Sequence, residues 1–121
     1  MQAIWKRGDQ DQMNVAATPP MIGAAGKVVV LADRVFITCE DVTAEMVTAD
    51  KQIGLATAGI WQIEKGTVAF SQFAEVFVTT GGEIGVAGTF IGIAEKAVAT
   101  TDETVMVLFS SFAQSLAPII P

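Results

Sequence analysis

The sequence predicts an all-β domain. No stretch longer than about ten residues keeps a helical period, runs rich in Val, Ile, Thr and Phe recur, and turn residues separate them roughly every 8–12 residues. That spacing is the signature of a sandwich or small barrel. A chain of 121 residues suits one domain. Residues 1–20 read as an extended arm, and 21–121 as a single β domain with an apolar C-terminal tail.

The arm holds a polar run, Gly8-Asp9-Gln10-Asp11-Gln12, and closes on Thr18-Pro19-Pro20, whose fixed φ favours extended chain. Trp5 is its one large apolar anchor. Lys27 to Leu31 is a dense β-branched run without alternation, as expected of a strand packed on both faces. Asp33-Arg34 connects it tightly to the strand Val35 to Cys39. Glu40 to Lys51 reads as a loop with a short strand at Met46-Val47, and Gly54 to Ile63 as one long strand bulged at a glycine. Val68 to Phe70 is a short strand, and Ser71 to Phe73 a single helical turn. Glu75 to Thr79 alternates, with Val76 and Val78 on one face and Phe77 on the other. Thr80-Gly81-Gly82-Glu83 is a hairpin turn, because glycine tolerates positive φ. Ile84 to Val86 and Phe90 to Glu95 are strands. Thr104 to Phe109 is the last, with Val105, Val107 and Phe109 sharing a face.

Composition narrows the chemistry. Half of the residues (51%) are apolar, yet the most apolar region, Val28 to Cys39, is broken by Asp33-Arg34. A membrane span needs about 20 largely uncharged residues, so none is expected. The start lacks the apolar core of a secretory signal, which points to synthesis in the cytoplasm. The chain has no histidine, no tyrosine and one cysteine. Ser-His-Asp, Cys-His and His-metal chemistry therefore have no residues to use within one chain, and the expectation is a protein that is not an enzyme and takes no cofactor or metal. Cys39, inside a β-like run, reads as a small core residue. Thirteen acids against seven scattered bases give a net charge of −6. Nucleic-acid binding needs a basic patch, which these bases do not form, so the expected partner is protein.

The remaining candidate groups read as structural. Asp9 and Asp11 resemble the start of a calcium loop, but position 12 of that loop falls on Pro20. Glu40 and Asp41 are neighbours and point to opposite sides of a strand. Gly82, Gly85 and Gly88 lie between strands, whereas a phosphate loop leads into a helix. Ser71, Ser110, Ser111 and Ser115 have no activating base or nucleophile elbow around them. Trp61 reads as core and Trp5 as a subunit or partner contact.

The order of motifs adds a resemblance. Gly8-Asp9 is followed by Gly26-Lys27-Val28-Val29-Val30, by Gly54-Leu55-Ala56 and by Gly59-Ile60-Trp61-Gln62-Ile63-Glu64-Lys65. Ala74 to Val78, Thr79 to Ile84, Ile91 to Ala97 and Thr101 to Leu108 complete the series. This succession, covering about Gly8 to Leu108, resembles the capsid cement (head decoration) family of tailed phages and prophages. Lys27 stands where that family usually has an acid, Trp61 where Phe is common, and Phe77-Val78 replaces an aromatic pair containing Tyr.

The resemblance implies a compact β-barrel or β-tulip that binds the major capsid protein on the outer surface of an icosahedral shell. Genome packaging pressurises such a shell, and bound subunits cement its seams. It implies homotrimers, with dimers as the alternative, located on the virion surface after synthesis in the bacterial cytoplasm. The expected capsid contact is the arm, through Ile4, Trp5, Lys6, Arg7 and Asp9, by strand addition to a capsid edge. The expected oligomer contact is the apolar tail, through Phe112, Leu116, Ile119 and Ile120. The competing reading is a small β-barrel sugar- or ligand-binding module of a phage particle, which would need an exposed aromatic cluster. A carboxylate-only hydrolase would need two acids about 5–9 Å apart in a cleft.

Overall fold

The structure, a computed structural model, describes residues 3–8 and 11–111. Its strands are β1 (Ala3–Arg7), β2 (Gln12–Ala16), β3 (Val28–Leu31), β4 (Arg34–Thr38), β5 (Gln52–Ala56), β6 (Ala58–Glu64), β7 (Glu75–Val78), β8 (Ile84–Gly85), β9 (Thr89–Ala94) and β10 (Thr104–Ser110). One short helix, α1 (Ala44–Thr48), lies between β4 and β5. The strands form a six-stranded sheet ordered β1-β6-β10-β9-β7-β8 and a four-stranded sheet ordered β2-β5-β4-β3. Every pairing is antiparallel. One sheet curls into a half-barrel.

The alternation expected in the last strand holds: Val105, Val107 and Phe109 are all buried on the inner face. Val76 and Val78 join them, with Phe77 turned the other way against Phe90. The run after Lys27 does pack on both faces, and this divides the interior. Val28, Val35 and Ile37 face the six-stranded sheet and join Trp61, Ile63, Ile91 and Phe109 in the main core. Val29, Phe36, Ile53 and Leu55 face away and form a second core with Met21 and Val42, which Met46 and Val47 of α1 help to cover. The four-stranded sheet is thus a middle layer, apolar on both faces, whose outer side needs its own cover.

Several expectations are corrected. The described part of the expected arm 1–20 (residues 3–8 and 11–20) is not separate from the domain: β1 pairs with β6 from Ala3↔Ile63 to Arg7↔Ile60, and β2 pairs with β5 from Gln12↔Ala56 to Ala16↔Gln52. An ordering cost of roughly 1–2 kcal/mol per residue favours a loose arm only when the segment finds no backbone partners. Here two ladders supply them, and Ala3 and Ala17 are buried. Pro19–Met21 is a 3₁₀ turn instead of extended chain. Met46-Val47 is helical, because Thr43 caps α1 by accepting from the Met46 N–H at 3.3 Å. The segment Gly54 to Ile63 is two strands in different sheets, divided at Thr57. Val68 to Phe70 contributes only a bridge, Phe70↔Val98. The β3–β4 turn centres on Ala32 and Asp33, both at positive φ (51° and 62°), one residue earlier than expected.

Thr57 explains how the chain passes between sheets. Its N–H and hydroxyl donate to the Asp11 carbonyl at 2.8 and 3.0 Å, and its own carbonyl accepts from the Ser111 N–H at 2.8 Å. The β1–β2 and β5–β6 segments therefore run together as a ribbon bent across both sheets. Two tryptophans hold the bend. Trp5 Nε1 donates to the Gly8 carbonyl at 3.1 Å and Trp61 Nε1 to the Ala58 carbonyl at 3.0 Å. Between them Gly59, at φ 119°, leaves little room for a side chain: a Cβ would lie 3.1 Å from Trp61 Nε1 and 3.2 Å from Trp5 Cδ1.

Candidate interaction surface

An antiparallel sheet with one face in the core ordinarily turns polar residues outward. The six-stranded sheet departs from this. Register places Ile60 of β6, Leu108 of β10 and Ile93 of β9 directly across from one another on the outer face. A parallel row runs Ile4, Gln62, Met106. The Phe77–Phe90 pair, edge to face with ring centroids 5.6 Å apart, extends the apolar strip beyond Ile93. Ile4 and Leu108 are half exposed (52% and 50%). Charged groups stand among these side chains: Glu75 opposes Ile93, and Arg7, opposite Ile60, forms an ion pair with Glu95. That pair ties β1 to the end of β9 with β6 and β10 between them. This face mixes half-buried and exposed apolar side chains with Gln62 and an ion pair, a composition that suits a protein–protein contact.

The residues expected at the capsid contact separate into different roles. Ile4 and Arg7 lie on this outer face. Lys6 is the extra residue of the bulge between Trp5 and Arg7 and is exposed. Trp5 is 43% exposed, yet its indole is committed to the bend beside Gly59. Asp9 lies outside the described residues, as do Phe112, Leu116, Ile119 and Ile120. Ile60, Ile93 and Leu108 were not singled out from sequence. Their signal was present, because β6, β9 and β10 carry apolar residues at successive positions rather than at alternate ones.

The polar candidates serve the framework. Glu40 accepts from the Gly54 N–H at 3.3 Å and Asp41 from the Ala25 N–H at 2.8 Å, so the neighbouring carboxylates brace different segments. Asp102, beside a cleft of about 460 Å³ that also touches Glu64 and Glu103, accepts from the Ala99 N–H at 2.8 Å. Gly82 and Gly88 sit in turns between strands, both at positive φ. Ser111 donates from its hydroxyl to the Val35 carbonyl. Burial pushes the Cys39 thiol above its ordinary value, Glu40 adds to this, and a hydrogen bond with the Ala56 backbone opposes it. Trp61 is 3% exposed and cannot stack a sugar or base. Among the described residues, no group of three or more acidic or cysteine side chains is placed to hold a metal ion, and no helix is long and apolar enough to cross a membrane.

Lys65 has a role the sequence did not signal. It is 2% exposed, and its ammonium donates to the carbonyls of Val68 at 2.6 Å and Ala99 at 2.8 Å, with Gly66 at 3.4 Å. It clamps the loop after β6 to the loop before β10.

No protein-family model, curated protein or solved structure matches the chain.

Proposed function

We propose that this chain is a non-catalytic head decoration protein, which binds the major capsid protein on the outside of an icosahedral phage shell and cements it against internal DNA pressure. The observation that supports this most is the largely apolar outer face of the six-stranded sheet, built from Ile4, Ile60, Met106, Leu108 and Ile93 and carrying the Arg7–Glu95 ion pair and Glu75. The motif order supplies the class of partner, and the exposed face supplies a surface for it. The contact is then made by a folded sheet whose edge strand is β1, in place of a free arm. Each 100 Å² of apolar surface buried contributes roughly 2.5 kcal/mol before the costs of association. A subunit that bridges two capsid proteins, within a trimer that repeats the contact, multiplies modest areas into firm attachment.

The test is co-sedimentation of the purified protein with shells assembled from the major capsid protein of the same genome. Saturable binding at symmetric shell positions is expected. Protein that stays in the supernatant at saturating concentrations would overturn the proposal.

A further inference from the structure

The outer side of the four-stranded sheet is covered in part by Met46 and Val47 of α1 and by Met21. An apolar groove of about 380 Å³ remains, lined by Met13, Val15, Leu31, Phe36 and Leu55, of which Met13 is 40% exposed and Val15 and Leu31 are half-buried. That volume lies within the range of roughly 300–1,000 Å³ typical of occupied binding pockets. Thr18 also lines it, and the Thr18 hydroxyl is the one buried side-chain polar atom among the described residues without a hydrogen-bond partner. A buried hydroxyl left unpaired is unfavourable, so the groove lacks a polar contact as well as a full apolar cover.

The described chain ends beside this groove. The Ser111 N–H donates to Thr57, its hydroxyl donates to Val35, and its carbonyl accepts from Arg34 Nη1 at 3.3 Å. Arg34 is itself a wall of the groove. The ten residues that follow, 112–121, carry no charge and include Phe112, Leu116, Ile119 and Ile120. A ten-residue segment spans up to about 33 Å when extended, ample to cross a sheet of four strands spaced about 4.8 Å apart. We infer that this groove is the docking site for the chain's own C-terminal segment, which lays apolar side chains over Met13, Val15 and Leu31 and completes the second core. Tethering at Ser111 gives the segment an effective concentration in the millimolar range at the groove, an advantage no separate partner has. The expected oligomer residues Phe112, Leu116, Ile119 and Ile120 then act within the subunit. This inference is independent of the capsid reading.

The test uses the full-length chain with Cys39→Ala and Ile120→Cys, a nitroxide on the new thiol, and carbon-13 on the methionine methyls. The label should broaden the Met13 and Met21 methyls and spare Met106, which lies on the outer face of the other sheet. Unbroadened Met13 and Met21, or broadening at Met106 instead, would overturn the inference. So would broadening that persists in a mixture where label and isotope are on different molecules, because the groove would then hold the segment of a second copy.

Discussion

Replacing Lys65 by Met keeps the aliphatic stem and removes the ammonium, so the effect isolates the polar clamp from the packing. Two carbonyls, Val68 at 2.6 Å and Ala99 at 2.8 Å, lose a charged donor in a site where the side chain is 2% exposed. Hydrogen bonds to charged groups are worth about 1.5–3 kcal/mol each, and an orphaned buried acceptor costs a similar amount. Against this stands relief of the ammonium's own desolvation, several kcal/mol for a buried ion. The net expectation is a loss of about 2–4 kcal/mol. For a domain of this length each kcal/mol lowers Tm by about 4 °C, so the variant should melt about 8–16 °C below the parent. Thermal unfolding followed by circular dichroism, paired with urea unfolding, reads this out. Amide exchange should rise first at Phe70 and Val98, the bridge that joins the two clamped loops. A Lys65→Met variant as stable as the parent would refute the reasoning and assign the loops' cohesion to the apolar contacts of Val68, Phe70 and Val98.

Gly59→Ala should cost about 1–3 kcal/mol, because it combines a φ of 119° with a Cβ about 3.1 Å from the Trp61 indole nitrogen. A urea midpoint equal to that of the parent would show that the bend tolerates a side chain. Cys39 should alkylate with a pH midpoint above that of a free cysteine peptide, since burial raises its thiol pKa. The same shift has a thermodynamic sign. The folded state holds the thiol proton more tightly, so this contribution to stability is complete below the unfolded thiol pKa and is lost as pH rises through the folded one. A reaction profile that matches the peptide would contradict the burial of Cys39.

Alternation made much of the main core legible: Val76, Val78, Val105, Val107 and Phe109 were placed correctly from period two alone, and the turn at Gly81-Gly82 from backbone freedom. The fate of residues 3–16 was not legible, because their partners, β5 and β6, lie about forty residues and more away and nothing local announces the pairing. The division at Thr57 was hidden for a related reason. No Pro or turn residue marks it, and it is fixed by Asp11 and Ser111 from distant parts of the chain. The helix α1 left a weak signal in Thr43, a capping residue three before Met46, set in a stretch whose acids and threonines suggested a loop. The outer face was legible in principle. Met106 and Leu108 occupy positions that a half-buried strand would give to polar residues, and the same is true of Ile60 and Ile93. Lys65 left no signal, since a lysine after a strand is ordinarily solvated.

The outer face of the six-stranded sheet is the surface on which the proposed function depends, and Leu108→Glu addresses it directly. Leu108 is half exposed, so the substitution should leave the fold intact, with Tm within a few degrees of the parent. Phe73→Glu, at an exposed aromatic (67%) outside the face, is the matched control. Binding of parent, Leu108→Glu and Phe73→Glu to shells of the cognate major capsid protein should separate the three. The parent and Phe73→Glu should bind alike, and Leu108→Glu at least tenfold more weakly, a loss of about 1.4 kcal/mol or more per site. Equal binding by a folded Leu108→Glu variant would contradict the account and place the capsid contact elsewhere on the molecule.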